Sequence, residues 1–97
     1  MAEIIFRTES YAIMGACMGV YRSKGCGFLE HVYQDCLRIE LRHREIPFIE
    51  QLELALAYRG QVFEHKFKPD FICFNKIILE TKAVQKLARE HHAQVMN

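Results

Sequence analysis

The sequence predicts an α/β fold in which a small mixed or antiparallel sheet is flanked by helices. Apolar residues recur at helical spacing in the first half of the chain, and strand-like runs begin after Pro47. A further stretch of helical spacing ends the sequence. With 97 residues, the chain has room for one domain, spanning 1–97, and for no second one.

The composition is typical of a folded protein outside the membrane. Hydrophobic residues make up 51% of the chain and no segment is repetitive, so disorder is not expected. No apolar run approaches the roughly 18 residues of a membrane span, and the N-terminus lacks a secretory signal pattern. A net charge of +1 argues against binding nucleic acid by overall charge. We expect a soluble, cytoplasmic protein without a membrane partner.

Two apolar patterns predict helices in the first half. Tyr11, Met14, Met18 and Tyr21 are three or four residues apart, which predicts a helix over 10–22. The glycines of "SKGCG" end it. A second helix is expected from Phe28 to about Arg44, with one broad apolar arc. The arc contains Phe28, Leu29, Val32, Tyr33, Cys36, Leu37, Ile39 and Leu41.

Two glutamates of this second helix, Glu30 and Glu40, fall inside the apolar arc. A carboxylate on a buried face costs free energy unless another group neutralises it. The simplest interpretation is a partly buried acid paired with an arginine or with backbone amides.

The second half of the chain predicts the sheet. Residues 48–58 and 61–67 form strand-like runs around a turn at Gly60, which indicates a hairpin. The runs "FICF" and "KIILETKAV" are apolar on both alternating sets, so we expect strands at the centre of the sheet, covered on both faces. Residues 85–97 return to helical spacing.

The central hairpin predicts a pair of facing acids. A turn centred on Asn75 pairs residues whose numbers sum to 150, so Asp70 lies opposite Glu80 with Cβ atoms about 5 Å apart. Lys82 would project from the same face, because strand side chains alternate. A register shift by one residue would instead place Asp70 opposite Leu79 and separate the acids.

Two carboxylates beside an ammonium suit a hard divalent cation such as Mg²⁺, which needs only one or two carboxylates and is completed by water and phosphate oxygens. Such a cation, with Lys82 stabilising developing negative charge, suits phosphodiester hydrolysis. The alternative is a purely structural salt bridge of Asp70 or Glu80 with Lys82 or Lys68, and the sequence leaves both open.

Several motifs resemble one nuclease group. "PD" at residues 69–70, followed by "ETK" at 80–82, resembles the signature of the PD-(D/E)XK nucleases. "GFLEHVY" at 27–33 resembles the G-x-x-E-x-x-Y element of the GxxExxY proteins in that superfamily, and His91 with Gln94 resembles its H-x-x-Q element. The resemblance extends over about residues 10–97.

The resemblance implies a restriction-endonuclease-like (PD-(D/E)XK) core of αβββαβ order with a nuclease-like site that uses Mg²⁺, or Mn²⁺ in its place. By position, it assigns Glu30, Asp70 and Glu80 as metal-binding acids and Lys82 as the catalytic lysine. Further implied roles are the Thr81 carbonyl as a metal ligand, Gln94 and His91 orienting water or contacting phosphate, and Tyr33 lining the site.

Two departures from the resemblance affect the expectations. Cys26 stands where similar proteins usually have proline, which changes loop stiffness. Similar proteins also continue beyond Asn97 with a longer helix and another strand, so we expect a shortened C-terminal part. An open sheet edge would then need a partner or self-association into a homo-oligomer.

The favoured function is a Mg²⁺-dependent nuclease acting on phosphodiester bonds of DNA or RNA. The alternatives are a non-catalytic nuclease-fold module for binding or assembly, and a small hydrolase for a phosphorylated metabolite. The cysteines and histidines indicate no further site: no C-x-x-C pair and no histidine spacing for zinc occur, so reduced core thiols are expected. The cysteines are Cys17, Cys26, Cys36 and Cys73.

Overall fold

Three helices and two small antiparallel sheets make up the fold. The structure, a computed structural model, describes residues 6–24 and 29–96, except for the side chains of 24, 88, 89 and 91–96. In chain order the elements are α1 (Arg7–Lys24), α2 (Glu30–His43), β1 (Phe48–Glu50), β2 (Ala57–Tyr58), β3 (Gln61–Val62), β4 (Phe71–Cys73), β5 (Ile77–Leu79) and α3 (Thr81–Met96).

The two predicted N-terminal helices are confirmed and together form one layer of the core. Each buries residues that recur at helical spacing, and these pack against the apolar face of the sheet. Within α1 the buried residues are Ile13, Ala16, Cys17 and Val20, and within α2 they are Tyr33, Leu37 and Leu41. The sheet contributes Phe71, Cys73 and Leu79 to the same cluster.

An ion pair between Glu40 and Arg44 lies beside the contact between α1 and α2. Glu40 accepts a hydrogen bond from Arg44 at 2.6 Å, so the arginine-paired acid expected in this helix is found. Both side chains lie over Gly19, where an added Cβ would be 2.9 Å from the Arg44 guanidinium. A side chain larger than hydrogen at residue 19 would therefore displace this pair.

The buried arc predicted for α2 is too wide. Leu29 and Ile39 are 68% and 65% exposed. The helix begins at Glu30, so Leu29 precedes it as the N-cap residue and does not share its packed face. The prediction from helical spacing also required another element to cover the whole apolar arc. In α2 the buried residues are Tyr33, Leu37 and Leu41, which form a narrower stripe.

The three-stranded sheet has the order β1-β4-β5 and is antiparallel throughout. In the β4–β5 hairpin Phe71 pairs with Leu79 and Cys73 with Ile77, so the partner numbers sum to 150 as predicted. The turn residues Phe74 and Asn75 have φ of 55° and 60°. Asparagine tolerates this conformation well; the phenylalanine is held in it by packing against the core.

Within the described ranges, helices cover one face of this sheet and leave the other exposed, so the prediction that its central strands are covered on both faces is wrong. Phe71, Cys73 and Leu79 are buried beneath the helices, whereas Ile49 and Ile78, on the opposite face, are 44% and 48% exposed. The reason is the position of α3, which packs against α1 and α2.

The strand predicted to run through "KIILETKAV" is also too long. β5 ends at Leu79 and α3 begins at Thr81. The backbone oxygen of Glu80 already accepts a hydrogen bond from the Val84 amide at 3.1 Å, which is the helical pattern. "TKAVQKLARE" is rich in helix-forming residues, so local propensity favours this outcome.

The second hairpin is a short ribbon. β2 pairs with β3 around Arg59 and Gly60, whose φ values of 51° and 81° suit a two-residue hairpin turn, so the predicted turn is confirmed. The long flanking strands predicted at 48–58 and 61–67 are wrong: outside β1, β2 and β3 they contribute one bridge, Leu54 to Phe67. Residues 55–66 are all exposed, so no packed face stabilises longer strands.

The described cysteines are free thiols, as predicted: Cys17 and Cys73 are buried and Cys36 is partly buried. Burial raises the pKa of Cys17 to about 12 and that of Cys73 to about 11. Both therefore stay protonated and unreactive at neutral pH. Cys26 lies outside the described residues. Among the described helices, none is both long and apolar enough to cross a membrane.

Candidate metal and active site

The hairpin brings Asp70 and Glu80 together. They are the next facing pair after Phe71 and Leu79 in the observed register, where β4 begins and β5 has ended. The Asp70 carbonyl also accepts a hydrogen bond from the Gln51 amide at 3.3 Å, which continues the β1–β4 pairing and fixes the backbone there. Both side chains are partly buried. The geometric condition for a two-carboxylate site is met.

Glu80 is in an unfavourable environment for a negative charge. Its Oε1 atom is buried and lacks a hydrogen-bond partner among the described residues. Burial raises the pKa of the Glu80 carboxyl, and the nearby carboxylates of Asp70 and Glu30 raise it further. A cation placed beside Glu80 and Asp70 would remove this penalty.

Asp70 has a structural contact as well. Its Oδ2 atom accepts a hydrogen bond from the Thr81 amide at 2.8 Å. Thr81 is fully buried and is the first residue of α3, so Asp70 caps that helix from the neighbouring strand. A negative charge at a helix N-terminus is also favoured by the helix dipole. Any test of Asp70 must therefore separate capping from metal binding.

Lys82 does not lie on a strand beside the acids, so its predicted alternation with Glu80 is wrong. It is an exposed residue in the first turn of α3, and helical residues do not alternate between two faces. Among ion pairs between described residues, neither Lys82 nor Lys68 pairs with Asp70 or Glu80. The structural salt bridge considered from the sequence is therefore not observed.

Glu30 is exposed, so its predicted inward orientation is wrong. It is the first residue of α2, where a carboxylate is favoured by the free amides of the helix end. Its charge nevertheless raises the pKa of Glu80, which shows that it lies within electrostatic range of the pair. Within the described part of the chain, no three His, Cys, Asp or Glu side chains are close enough together to hold a metal.

The other residues predicted for the site are placed as follows. Tyr33 is buried in the core. The amide of Thr81 faces Asp70; because it begins a helix, its carbonyl points along α3 toward the C-terminus. His91 and Gln94 belong to α3, roughly 15 and 20 Å along its axis from Thr81 by the helical rise. Their side chains lie outside the described set, so their roles remain predictions.

The donor set at Asp70 and Glu80 fits a small divalent cation. Both donors are carboxylates, and hard cations such as Mg²⁺ prefer oxygen ligands and commonly bind through one or two carboxylates. The buried oxygen of Glu80 has no hydrogen-bond partner among the described residues, and this orphaned acceptor is the feature that a cation would satisfy. The fit rests on two acids, with Glu30 adding negative potential from a distance.

An apolar groove of about 250 Å³ opens beside Glu80, and the sequence reasoning missed it. It lies between α1, the end of β5 and α3, and Glu80 is the acidic residue in its lining. The principal apolar residues are Met14, Met18, Ile78, Val84 and Leu87. The signal in the sequence was the pair of methionines four residues apart in α1. An ordinary buried helix face has the same pattern, so the pair did not by itself indicate a groove.

Several basic residues that could contact nucleic acid already have partners within the chain. Arg38 pairs with Asp35 and Glu50, and the guanidinium of Arg42 lies over the Phe48 ring at 5.7 Å. Lys66 is 3.9 Å from Glu53. Lys82 and Lys86 are exposed on α3 and form no ion pair with another described residue.

Changing Glu80 to glutamine is expected to stabilise the metal-free protein at neutral pH by about 1 kcal/mol, because the amide removes a poorly solvated charge. Because the pKa of Glu80 is raised in the folded protein, its ionisation lowers the free energy of unfolding. This loss of stability is absent below the ordinary glutamate pKa and complete above the raised pKa. The wild type should therefore approach the variant in stability as the pH falls.

Urea unfolding across a pH series with a chelator present measures this difference. Glu64→Gln, in the exposed ribbon, is the matched control and should shift stability by less than about 0.5 kcal/mol. A Glu80→Gln variant that is less stable than the wild type at neutral pH would show that Glu80 already has a compensating partner.

Comparison with known proteins identifies the family. The family model of the PD-(D/E)XK nuclease superfamily matches residues 7–97. Neither the curated proteins nor the solved structures contain a significant match. The mixed α/β arrangement of a small antiparallel sheet and three helices is consistent with the nuclease fold. The chain belongs to the PD-(D/E)XK nuclease superfamily.

Proposed function

We propose that this protein is a Mg²⁺-dependent nuclease that hydrolyses phosphodiester bonds of nucleic acid, and that it belongs to the GxxExxY group of its superfamily. The observation that carries the proposal is the facing pair of Asp70 and Glu80, in which a buried carboxylate oxygen lacks a partner among the described residues. The superfamily match supplies the reaction class.

In the proposed site, Asp70 and Glu80 hold the divalent cation, and Glu30 strengthens the negative potential that attracts it. When bound, such a cation polarises a phosphoryl oxygen and lowers the pKa of bound water. Asp70 has a second role, because its bond to the Thr81 amide holds the start of α3 beside the pair. Partial burial of both acids strengthens electrostatic interactions there.

The remaining roles are proposals from the family pattern. Lys82, two residues after Glu80, has a long exposed side chain that can reach substrate phosphate and offset developing negative charge. His91 and Gln94, farther along α3, are proposed to contact phosphates of the nucleic acid away from the acid pair. Tyr33 is proposed to support the site from the core, and Thr81 to hold the start of α3 beside the acids through its backbone amide.

The test is cleavage of labelled single- and double-stranded DNA and RNA with Mg²⁺, with Mn²⁺ and with a chelator. The wild type should cleave only with a divalent cation. Lys82→Ala should reduce the rate roughly 100-fold, the typical loss when one group that stabilises transition-state charge is removed. Lys86→Ala, one helical turn further along α3 and also exposed, is the matched control and should retain activity.

Three results would count against the proposal. Cleavage that persists unchanged in chelator would exclude the two acids as the source of activity. Equal cleavage by the wild type and by Lys82→Ala would indicate a contaminant or another site. Binding of nucleic acid without any cleavage would favour the second candidate function.

The second candidate is a non-catalytic assembly module that keeps the nuclease fold. Two observations favour it: Asp70 is already used as a helix cap, and β5 is an edge strand with an exposed isoleucine. Edge strands with free backbone groups readily pair with another strand. We propose self-association through this edge as the activity of such a module.

A further inference from the structure

The sheet has one edge at β1 and another at β5, and the β5 edge is the one that leads directly into Glu80. β5 pairs with β4 on one side, and among the described residues no strand pairs with its other side. The backbone amides and carbonyls on that side are therefore available to another strand. The apolar groove that contains Ile78, Met14, Met18 and Leu87 runs beside this edge.

We infer that two copies of this chain pair through β5 as antiparallel strands centred on Ile78, with Lys76 of each copy facing Glu80 of the other. The inference names the partner and the register of the assembly proposed above, and it does not depend on nuclease activity. It combines an open edge, a self-complementary sequence and an acid that needs a cation.

The sequence of this edge is complementary to itself in that register. Antiparallel pairing about a two-fold axis at Ile78 places partners whose numbers sum to 156. Ile77 then lies opposite Leu79 of the second copy, and Lys76 lies opposite its Glu80. The apolar pairs occupy the middle and the opposite charges occupy both ends, which is the favourable arrangement for cross-strand neighbours. A shift of two residues would place Glu80 against Ile78 and leave its charge unpaired.

The pairing would satisfy two groups that the single chain leaves unsatisfied. Ile78 is 48% exposed in a row with Ile49 on the open sheet face, and a second copy of the strand would cover part of it. The Oε1 atom of Glu80 is buried without a partner among the described residues, and an ammonium from the second copy would supply one.

The surroundings of Lys76 allow it to pair with Glu80 of a second copy. Its Nζ atom is 2.6 Å from Glu9 and 4.4 Å from the centre of the Phe6 ring, which fixes the side chain at the β4–β5 turn. An ammonium has three donor hydrogens, so it can keep Glu9 and bind a second carboxylate. The side chain is still 38% exposed and accessible to a second copy.

The test is a charge-reversal exchange, followed by sedimentation equilibrium in the presence of chelator. Lys76→Glu leaves two glutamates on each strand, and Glu80→Lys leaves two lysines, so each variant opposes like charges twice and should dimerise roughly 10- to 100-fold more weakly than the wild type. An equimolar mixture restores opposite charges at both ends and should form the heterodimer with near wild-type affinity.

Controls separate this effect from damage to the monomer. Lys76→Glu combined with Glu9→Lys restores the pair within the chain, and it should remain weakly dimeric if the edge carries the association. Lys86→Glu changes charge equally away from the edge and should dimerise like the wild type. Circular dichroism confirms that each variant is folded.

A cysteine at the two-fold axis provides a test that does not depend on charge. Opposed antiparallel residues have Cα separations within the range that a disulfide spans, so Ile78→Cys should give a covalent dimer on mild oxidation. Ile49→Cys, exposed on the same face but on β1, should not. A wild type that stays monomeric at the highest soluble concentration, or a mixture of the reversal variants that stays monomeric, overturns the inference, whatever the result of the cleavage assay.

Discussion

Replacing Asp70 with asparagine is expected to abolish divalent-cation binding and to lower metal-dependent cleavage by at least about 100-fold, while the protein stays folded. Even groups that only orient a metal ligand commonly cost 10- to 100-fold when removed, so a ligand should cost at least as much. The folded state should survive because an amide oxygen can still accept the hydrogen bond from the Thr81 amide.

Alanine at residue 70 tests the helix cap as well as the charge. Asp70→Ala removes both the charge and the cap, and it leaves the amide of the fully buried Thr81 without its acceptor. We therefore expect a loss of about 1–2 kcal/mol in unfolding free energy, in addition to the loss of cation binding. Titration calorimetry with Mg²⁺ and urea unfolding measure the two properties separately.

The two variants distinguish a metal site from a purely structural acid. If Asp70→Asn binds Mg²⁺ as the wild type does, Asp70 is a helix cap and not a ligand. If both variants lose cation binding but only alanine loses stability, the carboxylate serves both purposes. Glu64→Gln, in the exposed ribbon, should leave both measurements unchanged.

The acid pair was predictable because hairpin register is a local property. Asn75 tolerates the left-handed backbone that the turn requires, and apolar runs of four and three residues lie on either side of Asn75 and Lys76. These two features place the turn, and the turn places Asp70 opposite Glu80. The predicted reduced thiols followed from an equally local pattern, because Cys17 and Cys73 lie among apolar neighbours.

The position of Lys82 was not predictable in this way. "ETKAV" can continue a strand or begin a helix, since alanine and lysine favour helix whereas valine and threonine favour strand. The start of the helix at Thr81 coincides with a hydrogen bond from the Thr81 amide to Asp70, eleven residues earlier in the chain. Glu30 was misplaced for a related reason: a helical wheel assumes that the first turn is packed, and the fold leaves that end exposed.

Replacing Phe71 with alanine is expected to have the largest effect on stability. Phe71 is completely buried on the central strand, and its ring contacts the Phe48 ring edge to face, with centroids 5.6 Å apart. A truncation of this kind typically costs about 3–5 kcal/mol. Small domains have roughly 5–15 kcal/mol in total, so much of the cooperative unfolding transition should be lost.

Urea unfolding followed by circular dichroism measures this loss, with two variants for comparison. Phe71→Leu keeps most of the apolar volume and should cost less than alanine. Phe63→Ala, on the exposed ribbon, should change stability by less than about 0.5 kcal/mol. A loss below about 1 kcal/mol for Phe71→Ala would show that the helices do not pack on β4.

Phe71 also links stability to the candidate site. It follows Asp70 directly, and it pairs with Glu50 of β1 and Leu79 of β5. A cavity at this position should loosen both neighbouring strands, so the facing geometry of Asp70 and Glu80 should weaken before the chain unfolds globally. Mg²⁺ affinity in Phe71→Leu should therefore fall more than its stability alone requires, because the two acids depend on this ring for their spacing.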